Sequence, residues 1–464
     1  MVLVLTVVIL QSISFANYAL TTKTTNIIYG SAPYLTFDGG RTRVTSTEAL
    51  LGISLSDGRT FTPTTNNSSF DNPIVLPVTG QSFNDIGMLV PRNTDSIALS
   101  SLIGTPYNYW GDDDGDGQGV NGVTATGSLK LSIVNKWNLV VARNEVLDIC
   151  KAPYKLTLSN DGGILKTRYG VPNESRFTAG NATYYINPNP NISSPVICFA
   201  IPFSPGYATG FTVPASIWDS DKKGFLTQSV TPSSYGSNFP TTGAHNLRFD
   251  LDIVGNNQVL SWAPVSHGGI TATMTNSTST SVRVTLTGPA VTDANQWGSE
   301  NPYSISRPSL SQTFELVGRD SSGNAVVKYG FKLKQWFVNR GDRNIYTYSS
   351  VKSWCNNIGY RLPKVKDLTN ANCDSPCQSA KPSPSSAADY SSHHIGAGFF
   401  TEWGRMDYYT GANFNSWYYW TSDERTSDSL YKVTSSKGII GFGYRDNSNN
   451  NYNYKRYHGL CVYP

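Results

Sequence analysis

Charge is scarce in this chain. Asp, Glu, Lys and Arg make up 15% of 464 residues, and 36 Lys and Arg against 32 Asp and Glu leave a net charge of +4. The cations are interspersed, with no basic run long enough to track a phosphate backbone, which argues against nucleic acid as a partner. Long apolar runs are also missing: after the first 16 residues nothing approaches the 18 continuous apolar residues of a membrane-spanning helix. Nor does the sequence carry G-x-S-x-G, H-E-x-x-H or a phosphate loop. Its five histidines, His245, His267, His393, His394 and His458, fall in no metal-ligand or nucleophile spacing. A binding protein rather than an enzyme is expected.

What is present points to export and to β-structure. Residues 1–16, MVLVLTVVILQSISFA, fit the hydrophobic and cleavage regions of a signal peptide, so residues 1–19 are read as a signal-like leader. No Lys or Arg precedes that run, which leaves a misassigned start or the tail of a longer chain as alternatives. Six cysteines, an even count beside an export signal, favour disulfides. Zinc is the competitor, but Cys373 and Cys377 lack a second Cys or His pair at ligand spacing. The pairs expected from their placement are Cys150–Cys198, Cys355–Cys461 and Cys373–Cys377.

Apolar residues at 39%, aromatics at 12%, 41 glycines and 25 prolines describe packed cores cut into short segments by turns. Leu129, Leu131 and Ile133 alternate with polar residues, and so do Leu247, Phe249, Leu251 and Ile253. Period-two alternation means one buried and one solvated face. Residues 20–254 are read as an N-terminal β-sandwich domain. Residues 255–330 carry Val282, Val284 and Leu286 in one strand and a hairpin signal at Asp320–Asn324, the size and pattern of an immunoglobulin-like sandwich. Residues 331–464 change character. Ser349 or Ser350 can cap a helix in which Val351, Trp354/Cys355 and Ile358 share a face and Gly359 is the stop. The fold class expected is mainly β: sandwich modules followed by an α+β domain whose two ends Cys355 and Cys461 staple together.

The stretch 353–363, SWCNNIGYRLP, resembles the first helix of C-type-lectin-like domains, and YWTSD at 419–423 with Cys461 matches that fold's core strand and partner cysteine. More widely, the chain resembles the invasin/intimin group of bacterial adhesins, specifically those with an InvasinE-type adhesion domain. The matching stretches are APYLTFDGG at 32–40, YWGDDDGDG at 109–117 and DICKAPY at 148–154. FPTTG at 239–243, GFKLKQWFV at 330–338 and IGAGFFTEWG at 395–404 complete them. The resemblance implies a surface protein of a Gram-negative bacterium that attaches to a host-cell surface protein or glycan receptor through a lectin-like tip. In that group an outer-membrane β-barrel and immunoglobulin-like repeats precede such modules. Neither is found here, so a truncated product, the tail of a split gene or a freestanding relative is expected, with membrane attachment only through an anchor outside this chain.

Three features of the sequence bear on binding chemistry. Asp112, Asp114 and Asp116, with Gly117, match the D-x-D-x-D-G opening of many Ca²⁺ loops, where alternate carboxylates wrap a hard cation. The competing reading is a solvated acidic turn. Arg340-Gly-Asp342 is an integrin-type tripeptide that can equally be a strand end. The Glu-Pro-Asn, Gln-Pro-Asp and Trp-Asn-Asp motifs of Ca²⁺-dependent sugar binding are absent. An aromatic-rich segment remains, divided between core and contact, from which Trp403, Arg405, Tyr408, Tyr409, Phe414 and Trp417 are taken as the ligand surface. No cofactor is expected beyond a structural Ca²⁺. The alternatives to an adhesin are a structural or self-associating surface spacer, whose aromatics are all core, and a secreted carbohydrate-active enzyme.

Overall fold

In the computed structural model, which describes residues 29–115, 122–189, 195–203, 213–371, 391–446 and 455–464, the alternating segments are strands. Ser128–Val134 buries Leu129, Leu131 and Ile133, and Leu247–Val254 buries all four of its alternate apolar residues. The fold is mainly β and divides into two compact units, Met1–Asn189 and Pro190–Pro464.

The first unit packs two sheets. One runs in the order Ile74–Val75, Gly180–Asn187, Tyr154–Asn160, Ser128–Val134, Ser96–Ala98; the other is Glu174–Phe177, Gly163–Thr167, Val123–Thr126. Leu129, Leu156 and Tyr184 of the first sheet share a core with Leu165 and Phe177 of the second. Two of the motif stretches meet here, because Tyr34 and Leu35 pair antiparallel with Gly111 and Trp110.

The second unit opens with a seven-stranded sheet. Its middle strand, Leu247–Val254, is held between Val196–Pro202 and Ser281–Thr287. The boundary expected at 254/255 therefore falls inside a sheet and is corrected. Gly255 and the two asparagines after it have the composition of a linker but connect Leu247–Val254 of this sheet to Ser261–Trp262 of a second sheet in the same unit. Facing that sheet are Ser261–Trp262, Gln312–Arg319 and Ala325–Leu333. Phe314 stacks on Phe331 at 5.1 Å, and Phe249 meets Phe331 edge-on at 5.9 Å.

The lectin-like module is woven into this sandwich. Gln335–Asn339 lies between Thr242–Ala244, to which it runs parallel, and Leu460–Tyr463, antiparallel. The helix Tyr348–Ile358 starts after Thr347, slightly ahead of the serines expected to cap it, and buries Val351, Trp354, Cys355 and Ile358. Gly359 ends it at φ 90°, a left-handed geometry that costs glycine little. A disulfide joins Cys355 to Cys461 across 106 residues. Cys150 and Cys198 are also disulfide-bonded; Cys373 and Cys377 lie outside the described residues. A second sheet, Tyr418–Thr426, Ser429–Thr434 and Ile440–Tyr444, carries much of the aromatic segment.

Candidate functional site

The residues that tie the module down come first, because they decide which aromatics remain for contact. Phe399, Phe400 and Trp403 fall on one face of the short helix Phe399–Trp403 and are all buried. Glu402 on the same helix is fully buried and accepts hydrogen bonds from five donors. These are Thr241 N, Thr241 Oγ1 (2.6 Å), Thr242 N (3.0 Å), Thr242 Oγ1 (2.6 Å) and Gly396 N (2.7 Å). Burial raises its pKa above the ordinary carboxylate value, and the ring of donors opposes that rise. Trp403 Nε1 donates to Thr242 O at 3.1 Å. Sequence reasoning missed Glu402. An acid flanked on one helical face by Phe399, Phe400 and Trp403 was the available signal.

Against this frame the six expected contact residues separate. Trp403, Tyr409 and Phe414 are corrected to core, exposed by 0%, 1% and 6%. Phe414 sits 5.7 Å from Phe399 and 6.2 Å from Tyr419, and Tyr409 Oη donates to Trp403 O at 2.8 Å. The segment 410–416, polar and Gly-containing, is clamped on the sandwich. Asn246 Nδ2 donates to Gly411 O at 2.9 Å, Arg248 Nη2 to Thr410 Oγ1 at 3.2 Å, and Asn339 Nδ2 to Asn413 O. A polar Gly-containing segment is polar here because its backbone is an acceptor row for neighbouring side chains.

Trp417, Tyr408 and Arg405 stay outside. Trp417 is 56% exposed and Tyr408 37%. Arg405 forms a two-pronged ion pair with Asp407 at 2.7 and 2.9 Å while its guanidinium lies 4.8 Å over the Tyr408 ring. The backbone of Ser435 gathers these residues, donating to Trp417 O at 3.1 Å and accepting from Met406 N at 3.4 Å. Trp417 meets Tyr418 edge-on at 5.8 Å, and Lys432 Nζ sits 4.0 Å over Tyr418 and 3.8 Å over Tyr457. Burial pushes the Lys432 amine down to about 8. Lys432 and Tyr457 are buried, which leaves Trp417, Tyr408 and Arg405 as the accessible aromatic and cationic groups among the expected contacts.

The other motifs have structural surroundings. Arg340 is 1% exposed. It donates to Trp297 O at 2.7 Å and Ser350 O at 2.9 Å, and its guanidinium lies 3.8 Å over Tyr346. The tripeptide is thus a buried strand end rather than a displayed arginine. In the acidic loop, Asp113 pairs with Arg43, Asp114 Oδ2 accepts from Ser31 N at 2.7 Å, and Asp112 hydrogen-bonds Asp114. Asp116 lies outside the described residues, and among those described no three acidic, His or Cys side chains gather as metal ligands. His393 stacks on Trp218 at 4.1 Å, and His458 is buried beside Tyr419.

These observations define a class: a mainly β protein in which a disulfide-closed lectin-like module is fused to a sandwich by a shared core and a buried carboxylate. No protein-family model matches the sequence. Among solved structures, the chain is similar to invasin, described as a bacterial integrin-binding protein. That match has 13% identity and a TM-score of 0.34 over 74% of this chain, and it spans about half (52%) of the invasin structure. It is also similar to a C-terminal 282-residue fragment of intimin in complex with the intimin-binding domain of the translocated intimin receptor (13% identity, TM-score 0.31, 76% of this chain and 92% of that one). The Yersinia pseudotuberculosis adhesin InvE follows at 10% identity and a TM-score of 0.15, covering 75% and 90%.

Proposed function

We propose that this chain is a bacterial cell-surface adhesin that attaches to a host-cell surface protein through the lectin-like module, without catalysis. The observation that carries the reading is Trp417, more than half exposed, whose carbonyl is bonded by Ser435, which also hydrogen-bonds the segment that carries Arg405 and the exposed Tyr408. A large exposed indole is costly to leave in water, and clustered Trp, Tyr and Arg are the residue types that dominate protein-contact energetics. The sequence resemblance to invasin- and intimin-type adhesins supplies the partner class and the location at the cell surface. Among the described residues no helix is long and apolar enough to cross a membrane. Calcium at Asp112, Asp114 and Asp116 belongs to the proposal as a stabiliser of the first unit. Its expected signature is a higher melting temperature in excess Ca²⁺ than in chelator.

The test is attachment of the full chain to host cells, wild type against Trp417→Ala and Tyr408→Ala, with folding followed by circular dichroism. Loss of a central aromatic anchor costs about 2 kcal/mol, roughly thirtyfold in affinity. Trp403→Ala serves as contrast, since a core truncation of that size costs about 3–5 kcal/mol of stability. Folded Trp417→Ala protein that attaches as well as wild type sinks the assignment.

A further inference from the structure

The first unit contains an open cavity of about 460 Å³, within the range of small-ligand sites. Its lining joins an apolar side, including Phe37 and Met88, to a cationic and aromatic side made of Arg92, Arg143, Tyr107 and Tyr109. Arg143 is 9% exposed, and its Nη1 donates to Val90 O at 2.9 Å and to Pro91 O at 2.7 Å. Those two carbonyls fix the plane of the guanidinium. Its Nε is buried with no acceptor in the protein, a condition that native interiors rarely tolerate without a ligand or water. Arg92 is exposed, and the two guanidiniums repel each other; of the acids, only Asp95 acts on Arg143 electrostatically. Two cations and one carboxylate leave the cavity an excess of positive charge.

We infer that this cavity binds an acidic saccharide unit, its carboxylate taken by Arg143 and Arg92 and its ring seated against Tyr107 and Tyr109. Two guanidiniums on one cavity wall, that of Arg143 fixed by backbone carbonyls and that of Arg92 exposed, match a carboxylate better than a hydroxyl. The two tyrosine rings lie 5.6 Å apart and are tilted by 50° to each other. That open angle suits the puckered, partly apolar face of a pyranose; a flat nucleobase wants parallel walls. Tyr107 Oη is hydrogen-bonded to Asn93 Oδ1 at 3.0 Å, which holds the ring in place and leaves its face for the ligand. The site is separate from the Trp417 surface and does not depend on that assignment.

The experiment is calorimetric titration of the full chain with three oligosaccharides: one ending in N-acetylneuraminic acid, one ending in glucuronic acid, and the neutral parent. Binding of either acidic sugar, at least tenfold tighter than the neutral parent, is expected, and the stronger of the two identifies the source. Arg92→Ala, a change at an exposed side chain, is expected to weaken it at least tenfold. Trp417→Ala is expected to leave it unchanged, so failure of the adhesin surface and failure of this site are read separately. No binding of either acidic sugar overturns the inference. So does unchanged binding by Arg92→Ala, or tighter binding of adenosine monophosphate than of both sugars.

Discussion

His393 and His458 show what burial does to single residues of the second unit. His393 lies against Trp218 with Nδ1 3.0 Å from Thr401 O, and burial pushes its imidazole down to about 4; His458 is pushed down to about 4 in the same way. An unfolded chain titrates its histidines near 6.5, so between roughly pH 6.5 and 4 it takes up protons that the folded unit refuses. Stability from these rings is therefore complete above about 6.5 and is lost on acidification, by about 3 kcal/mol each. Glu402 and Asp423 act in the opposite sense. Burial raises both, so their contribution is full when protonated and falls as pH rises through the folded value. Urea denaturation from pH 7 to 4.5 is expected to show falling stability, and His393→Phe, which keeps a ring on Trp218, to flatten that slope by about one proton. An unchanged slope means that His393 is not neutral in the fold. None of this was visible in the sequence, where a histidine between Ser392 and His394 looks solvated. The same limit explains the aromatics. Residue type marks Trp403 and Trp417 alike, and only packing against Thr242 and Tyr409 separates the buried indole from the exposed one.

Elements were more legible than their pairings. Alternation at Leu129–Ile133, Leu247–Ile253 and Val282–Leu286 is read directly, because a half-buried strand repeats every second residue. The helix Tyr348–Ile358 shows its buried face and its glycine stop in the same way. The parallel contact of Thr242–Ala244 with Gln335–Asn339 leaves no periodic trace, since it joins segments about ninety residues apart. What marks it is composition: Gly243 is required because a Cβ there would come within 2.9 Å of the Trp336 ring. FPTTG, GFKLKQWFV and IGAGFFTEWG, three of the stretches that carry the family resemblance, converge on this junction and its Glu402. The motifs therefore report architecture rather than a ligand site. The disulfide belongs to this scale as well. Closing 106 residues removes unfolded-state freedom that amounts to about 4–5 kcal/mol, so reduction of Cys355–Cys461 is expected to lower the unfolding midpoint of the second unit by that equivalent. A midpoint insensitive to reductant would show that the hydrogen-bonded junction suffices alone.

At the scale of the whole molecule, a unit boundary is decided by where strand pairing stops. Because Leu247–Val254 is paired on both sides, a fragment beginning at residue 255 loses the centre of a seven-stranded sheet. Residues 190–464 are expected to melt in one cooperative transition and residues 255–464 to give no such transition, measured by calorimetry. A cooperative melt of the shorter fragment would mean that the lectin-like module stands without the sandwich. The junction also determines how the second unit would bear a load. Trp417 lies inside the ring of chain closed by Cys355 and Cys461, and that ring leaves the sandwich through Gln335–Asn339, which is laddered on both edges. A pull applied at Trp417 would be delivered to two ladders side by side, with the disulfide limiting how far the ring can be drawn out. If the chain serves as the proposed adhesin, tension of the kind that flowing liquid puts on an attached cell is thereby spread over many hydrogen bonds at once.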